Sequence, residues 1–273
     1  MITAITACYG TSHLPFLGAW LEQLAALFPR TVTPRVLLAD LASDAVRRWR
    51  TAYPLVEWVA GPGPGTDDRI ARVARKLPAW VAALNAAPTI PLGRRLVCLD
   101  VDTLVLRDPD DAWASAGVRS RVDFGYTVRP GRWPLNSGVV FGTMSPRFVM
   151  EIAAWARETE HWLSSPRRVQ GAIDAHGAPD QAALAVCLSK MEDGGGLSVQ
   201  KFRADVWNHD TCPAGGVLDN IGILHLKGCL PLLLQTRSYG PEYGDERSPS
   251  DCEPAFALWR SRWQESVERL ASV

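Results

Sequence analysis

The segment Arg95-Leu96-Val97-Cys98-Leu99-Asp100-Val101-Asp102-Thr103-Leu104-Val105-Leu106 constrains the fold of this chain more than any other. Its Val- and Leu-rich run predicts a strand buried on both faces, and such strands belong to sheets flanked by helices. Two carboxylates interrupt it. Ionised Asp100 and Asp102 are costly to desolvate unless a cation or fixed donors receive them. Strand alternation sends both to one side, with Val101 pointing away between them. Where a buried strand surfaces, such a pair suits a divalent cation, and a cation there is able to hold a diphosphate. The Asp-x-Asp triplet also recurs by chance, and two solvated acids that merely end a strand satisfy it equally.

Strands and helices alternate along the chain. Residues 2 to 8 predict a first buried strand, ending in the small-residue turn Tyr9-Gly10-Thr11-Ser12, which lets a ligand approach the backbone. Leu14 to Phe28 predicts a helix with Leu17, Leu21, Leu24 and Phe28 on one stripe. Further strands are expected at 35–40 and 55–59, with a short helix at 44–53 between them. This alternation implies parallel strands with right-handed crossovers and an α/β architecture. Gly61 to Thr66 is a breaker cluster, and Thr66 or Asp67 is the expected N-cap of the next helix. There Ile70, Val73, Leu77, Val81 and Leu84 are expected to face the core, with a kink at Pro78. Arg69, Arg72 and Lys76 share another face, as a solvated basic stripe or as a stripe that reaches a phosphate.

Beyond the acidic strand, further strands are expected at 123–128 and 135–142. The second opens with Asn136-Ser137-Gly138, which suits either a plain turn or hydrogen bonds to a polyhydroxylated ligand. Helices follow at 148–163 and from Gly177-Ala178-Pro179-Asp180-Gln181 through Leu188, where Asp180 suits the first turn. Gly194 to Gly196 is a turn, and 199–203 and 205–208 are short strand candidates. Ile221 to Gly228 is an apolar strand carrying His225 and Lys227 on one side; a lone His in such a run is usually a core residue, which the neighbouring Lys makes less apt. The polar loop Tyr239 to Pro254 precedes a helix with Phe256, Trp259, Trp263, Val267 and Leu270 at helical spacing.

A chain of 273 residues accommodates one large domain or two small ones. Basic and acidic residues balance at 29 each, which argues against nucleic acid or an anionic membrane as the main partner. The six cysteines are too scattered for a zinc or redox motif, and reduced thiols in a cytoplasmic protein are expected. No signal peptide is expected at the N-terminus. No transmembrane segment is expected either, because the longest apolar run, Ile221 to Leu234, contains His225 and Lys227. The mixed charge of the last helix predicts docking on the body of the protein rather than a membrane anchor.

Leu99-Asp100-Val101-Asp102-Thr103, Leu135-Asn136-Ser137-Gly138-Val139-Val140-Phe141, Pro179-Asp180-Gln181 and His225-Leu226-Lys227-Gly228 together resemble the ordered landmarks of GT-A-fold glycosyltransferases. The nearest likeness is the retaining family of glycogenin and the bacterial galactosyltransferases, over about residues 1 to 230. The resemblance implies a central mixed, mostly parallel sheet flanked by helices, with 1–238 as the catalytic domain and 239–273 as a loop and helix packed on it. It implies Asp100, Asp102 and His225 as ligands of Mn2+ or Mg2+, the imidazole favouring manganese. The donor is then a nucleotide-diphosphate sugar, a UDP-sugar above all, and the acceptor a glycan, protein or small molecule. By the same likeness Ala7, Tyr9 and Thr11 line the base and ribose pocket, beside Leu99, Asp100 and Val101. Lys227 and Gly228 cradle the phosphates, a cradle completed by Arg69, Arg72 or Lys76, with Arg69 and Lys76 foremost, and Asn136 and Ser137 sit where donor and acceptor meet. Asp180 binds sugar hydroxyls and Gln181 faces the anomeric carbon, an amide being too poor a nucleophile for a covalent intermediate. The tail lacks the basic character of some bacterial relatives, and the segment before the acidic strand is rich in Pro and Gly; both leave the acceptor class open. Asp100-Val101-Asp102-Thr103 also resembles the nucleophile motif of haloacid dehalogenase-type phosphohydrolases, which usually lies on the first strand. A non-catalytic nucleotide-sugar binder is the third reading.

Overall fold

Alternating apolar strands and amphipathic helices produce a layered α/β body in the computed structural model, which describes all residues except 62, 64, 67, 116, 118–120, 194–196, 210–215 and 227–248, and the side chains of 69 and 249–251. In chain order the elements are β1 (Ile2–Tyr9), a 3-10 turn (Thr11–His13), α1 (Leu14–Leu27), β2 (Val32–Ala39), α2 (Ser43–Ala52), β3 (Glu57–Ala60), α3 (Arg69–Ala74) and α4 (Lys76–Asn85). Then come β4 (Arg95–Leu99), β5 (Thr103–Val105), α5 (Asp110–Ser115), β6 (Phe124–Val128), β7 (Leu135–Thr143), α6 (Pro146–Leu163), α7 (Pro166–His176) and α8 (Pro179–Asp193). The chain closes with β8 (Val199–Arg203), α9 (Ala204–Trp207), β9 (Ile223–His225) and α10 (Pro249–Ala271).

Seven strands form one sheet in the order β3-β2-β1-β4-β7-β6-β8. All run parallel except β7, which is antiparallel to both β4 and β6. Apolar cores cover both faces. One packs β1 and β4 against α1 and α10, and the other packs the opposite face against α4, α6 and α8. Tryptophan serves the core: Trp20, Trp80, Trp113 and Trp155 are fully buried, each burial contributing on the order of 2 kcal/mol.

Several elements depart from expectation. The acidic strand is not continuous: β4 ends at Leu99, Asp100 to Asp102 form a turn, and β5 leaves to pair with β9 in a separate two-stranded sheet. A strand buried on both faces has no place for two carboxylates, whereas a turn at its tip lets both reach a cleft. The helix expected from Thr66 breaks at Arg75. Pro78 lacks the N–H that would serve the Ala74 carbonyl and its ring crowds that turn, so α3 stops at Ala74 and α4 restarts with Pro78 in its first turn. Asp68, not Thr66, is the N-cap, accepting from the Ala71 N–H at 2.7 Å. Ile70 and Val73 then lie on the surface, 39% and 51% exposed. Residues 205–208, expected extended, lie in a single helical turn and its end, which buries Ala204 and Trp207 three apart. The short helices α5 and α7 carry too few apolar repeats to announce themselves. The last helix begins at Pro249, ahead of Pro254, and Val267 is exposed while Ser266 takes the buried place.

Cys252 is disulfide-bonded, which overturns the reading of all six cysteines as thiols and removes that support for a cytoplasmic location; Cys8, Cys98 and Cys187 are free and buried. Among the described residues no helix is long and apolar enough to cross a membrane.

Candidate active site

The turn between β4 and β5 is held by its neighbours on three sides. Asp100 N–H donates to the Gly138 carbonyl at 2.8 Å, the Thr103 hydroxyl donates to the Asp100 carbonyl at 2.8 Å, and Leu226 N–H donates to the Asp102 carbonyl at 2.8 Å. Because β5 and β9 pair with Thr103 opposite His225, the imidazole arrives beside the two acids. His225 Nε2 lies 3.2 Å from an Asp102 carboxylate oxygen and 3.6 Å from one of Asp100. One ligating atom from each of the three residues falls within 4.8 Å of the others. A carbon at the Cβ position of Gly138 would stand 2.4 Å from the imidazole Cε1 and 3.0 Å from an Asp100 oxygen, so this glycine leaves the room that the cluster fills.

The tautomer of His225 follows from the buried chain behind it. Thr127 donates its hydroxyl proton to the Asn136 carbonyl at 3.2 Å and accepts from Asn208 Nδ2 at 2.8 Å. That leaves Asn208 Oδ1 as acceptor for His225 Nδ1–H, at 3.1 Å. Nε2 is the ring nitrogen left for a ligand: it is buried, has no hydrogen-bond partner among the described residues, and faces two carboxylates. Two carboxylates and an imidazole nitrogen that converge in this way, with separations of 3.2 and 3.6 Å from the ring nitrogen to the two acids, offer oxygen and nitrogen ligands to one small ion. The residues present fit a hard divalent ion.

A second group adjoins the first. Lys76, the first residue of α4, places Nζ 2.7 Å from one oxygen of Asp100 and 2.9 Å from the other, 3.4 Å from Asp180 and 3.2 Å from the Ser137 hydroxyl. Ser137 in turn donates to Asp180 at 2.5 Å. Burial opposes the charged form of Lys76, but Asp100, Asp180 and Asp102 outweigh it, and its pKa stands above the ordinary lysine value. Asp180 is 2% exposed at the start of α8, where Trp155 Nε1–H holds its carbonyl at 2.7 Å.

Known structures share this arrangement of strands and helices. Over 97% of this chain and 95% of that one, the fold matches the crystal structure of an active-site mutant of LgtC, with a TM-score of 0.52 at 13% identity. The glycosyltransferase GlyE of Streptococcus pneumoniae TIGR4 matches with a TM-score of 0.53 at 11% identity, over 98% of this chain and 63% of that one. WbbM, a bifunctional glycosyltransferase, matches at 0.52 and 11%, over 98% of this chain and 51% of its own. This chain thus spans less than two thirds of the length of the latter two. No protein-family model and no curated sequence matches it. The chain has the GT-A glycosyltransferase fold.

On this GT-A body the remaining expected residues fall into four groups. Asn136 and Gln181 are buried beside the cluster's own residues, and Asn136 Nδ2 and Gln181 Oε1 have no hydrogen-bond partner. Leu99 and Val101 are buried in the core; Tyr9 is also largely buried and donates its hydroxyl to the Arg75 carbonyl at 3.1 Å. Ala7 is half-buried and Thr11 exposed. Lys227, Gly228 and the side chain of Arg69 lie outside the described residues.

At the carboxyl ends of the parallel strands β1 and β2, where open α/β sheets bind ligands, a cleft of about 580 Å3 is lined by Gly10, Thr11, Asp40, Thr66 and Arg72 among others. Gly10, at φ 67°, keeps its surface clear, since a Cβ there would stand 3.3 Å from the Arg72 guanidinium. Among the described residues the basic side chain on this cleft is Arg72, one of the three expected to complete the cradle, while Lys76 lies at the carboxylate cluster. Asp40, at φ 57°, and Asn208 carried no signal in the sequence: each lies in an unremarkable stretch and acquires its place only through the packing of distant strands.

Proposed function

We propose that the chain is a metal-dependent glycosyltransferase that moves a sugar from a nucleotide-diphosphate sugar, a UDP-sugar above all, to an acceptor hydroxyl with retention. Residues 1–238 form the catalytic domain and 239–273 a segment packed on it. The carrying observation is the buried Nε2 of His225, without a hydrogen-bond partner among the described residues, converging with the carboxylates of Asp100 and Asp102, an arrangement that suits a divalent cation. Mn2+ or Mg2+ held by these three residues supplies charge neutralisation to a departing diphosphate. The cleft at Gly10, Thr11 and Arg72 takes the nucleoside, and in this reading Asp100 and Lys76, at the end of the neighbouring strand β4, serve its phosphates. Asp180, held by Ser137 and Lys76, presents its carboxylate to sugar hydroxyls. Gln181 bears an amide, a poor nucleophile, so attack by the acceptor on the face from which the diphosphate leaves accounts for retention.

A donor-hydrolysis screen tests this reading. Wild-type protein with Mn2+ is expected to hydrolyse one nucleotide sugar slowly, and chelation is expected to stop it. Turnover of a generic phosphate ester in place of every nucleotide sugar would assign the chain to the phosphohydrolases, and donor binding with no turnover to the non-catalytic binders.

A further inference from the structure

Lys76 is a cation already inside the carboxylate cluster. It engages both oxygens of Asp100, so the carboxylate it holds is one of the three groups that converge with His225. It is also firmly placed. The residue is 7% exposed, and the far end of its helix is pinned by Arg35, which is fully buried and donates to the Ala83 carbonyl at 2.8 Å and to Glu57 at 2.6 Å. A divalent ion on Asp100 would therefore share that carboxylate with a fixed ammonium. Like charges a few ångströms apart in a partly buried site repel strongly and are little screened by salt. A diphosphate changes the balance, because its oxygens accept from an ammonium and ligate an ion at once.

Resting on the reading of Asp100 as a metal ligand, we propose that Lys76 keeps the affinity of the site for a bare divalent ion low, and that a nucleoside diphosphate lifts this restraint. Ion and nucleotide then bind cooperatively, each tightening the other by the same factor. The protein takes up the ion mainly together with its donor, and the site at Asp100, Asp102 and His225 is not loaded with metal between turnovers. A purely structural Lys76, stapling α4 to β4 and α8, would instead leave ion affinity unchanged or weaken it when lost.

The test uses the full chain and reads binding, not turnover. Mn2+ affinity is measured by electron paramagnetic resonance of the free ion, and UDP affinity by calorimetry with and without saturating Mn2+. Wild type is compared with Lys76→Met, Lys76→Gln and the charge-keeping Lys76→Arg, and whichever neutral variant melts cooperatively is scored. The neutral variant is expected to bind bare Mn2+ at least tenfold more tightly than wild type and to lose at least tenfold of the Mn2+ enhancement of UDP binding, with Lys76→Arg close to wild type. Bare-ion affinity that is unchanged or weaker in the neutral variant would overturn the role of Lys76 and leave the metal site standing. Failure of every protein to bind Mn2+, wild type included, would remove the site itself and this role with it.

Discussion

His225 enters the site with one ring nitrogen committed and the other open, and the commitment is made by Asn208. The amide is fixed in turn by Thr127, so orientation is relayed from β6 through a buried hydrogen-bond chain to the ring nitrogen that faces Asp100 and Asp102. Groups in this outer position typically govern metal affinity by about 10- to 100-fold. Asn208→Ala is therefore expected to weaken Mn2+ binding by about that factor while the protein stays folded, as read by a Mn2+ titration beside a thermal melt. An unaltered titration would show that the ring is oriented without the amide. At this scale the sequence was legible where chemistry is local. Asp100, Asp102 and Ser137 stand in short motifs whose residue types already demand a partner, and Gly138 is required by the crowding of His225. Asn208 was not legible, because nothing within a few residues of it distinguishes it from a turn asparagine. Its partner is 17 positions away and reaches it only through the sheet.

Elements carry the site as a frame. β7 runs against β4, so its opening residues Asn136 to Gly138 and the closing turn of β4 share one edge, and the first turns of α4 and α8 arrive at the same place. Behind them α10 braces β5 through α1. Arg262 donates to Gln23 Oε1 at 2.8 Å, and Gln23 Nε2 donates to the Val105 carbonyl at 3.1 Å. Alongside, Arg269 donates to both oxygens of buried Glu22, at 2.6 and 3.0 Å, and Gly18 allows the approach, since a Cβ there would stand 2.5 Å from Ser266 Oγ. Arg269→Ala is expected to cost about 2 kcal/mol by leaving Glu22 with only Tyr53, whereas Arg260→Ala, on the exposed face, is expected to cost less than about 0.5 kcal/mol. Denaturant melts check the pair, and equal midpoints would mean that α10 is not held by this contact. Strands β1, β4 and β7 were legible because unbroken apolar runs admit few alternatives. The interruption before Pro78 was legible as a kink, though not as a full break with Asp68 as the cap, and the turn at Asp100 was not, since it is decided by where a carboxylate finds room once neighbouring elements are in place.

The whole molecule combines a nucleoside-sized cleft at the ends of β1 and β2 with a cluster of acids, a lysine and an imidazole at the end of β4, side by side along one sheet edge. Such a juxtaposition suits a ligand with a nucleoside at one end and a charged diphosphate at the other. The overall order of strands and helices could be read from periodicity, and it places the ligand edge through a general property of open α/β sheets. On the proposed reading, which sugar and which acceptor are used depends on loop shape, around Arg129 to Pro134 for one, and loop shape is not written in periodicity. The central claim is that Asp100, Asp102 and His225 hold a divalent ion on which nucleotide binding depends. A calorimetric titration of UDP in the presence of Mn2+, wild type against Asp102→Asn, tests it most directly. The expected result is at least about 100-fold weaker binding in Asp102→Asn at an unchanged melting temperature; equal UDP affinity in the two proteins would contradict it.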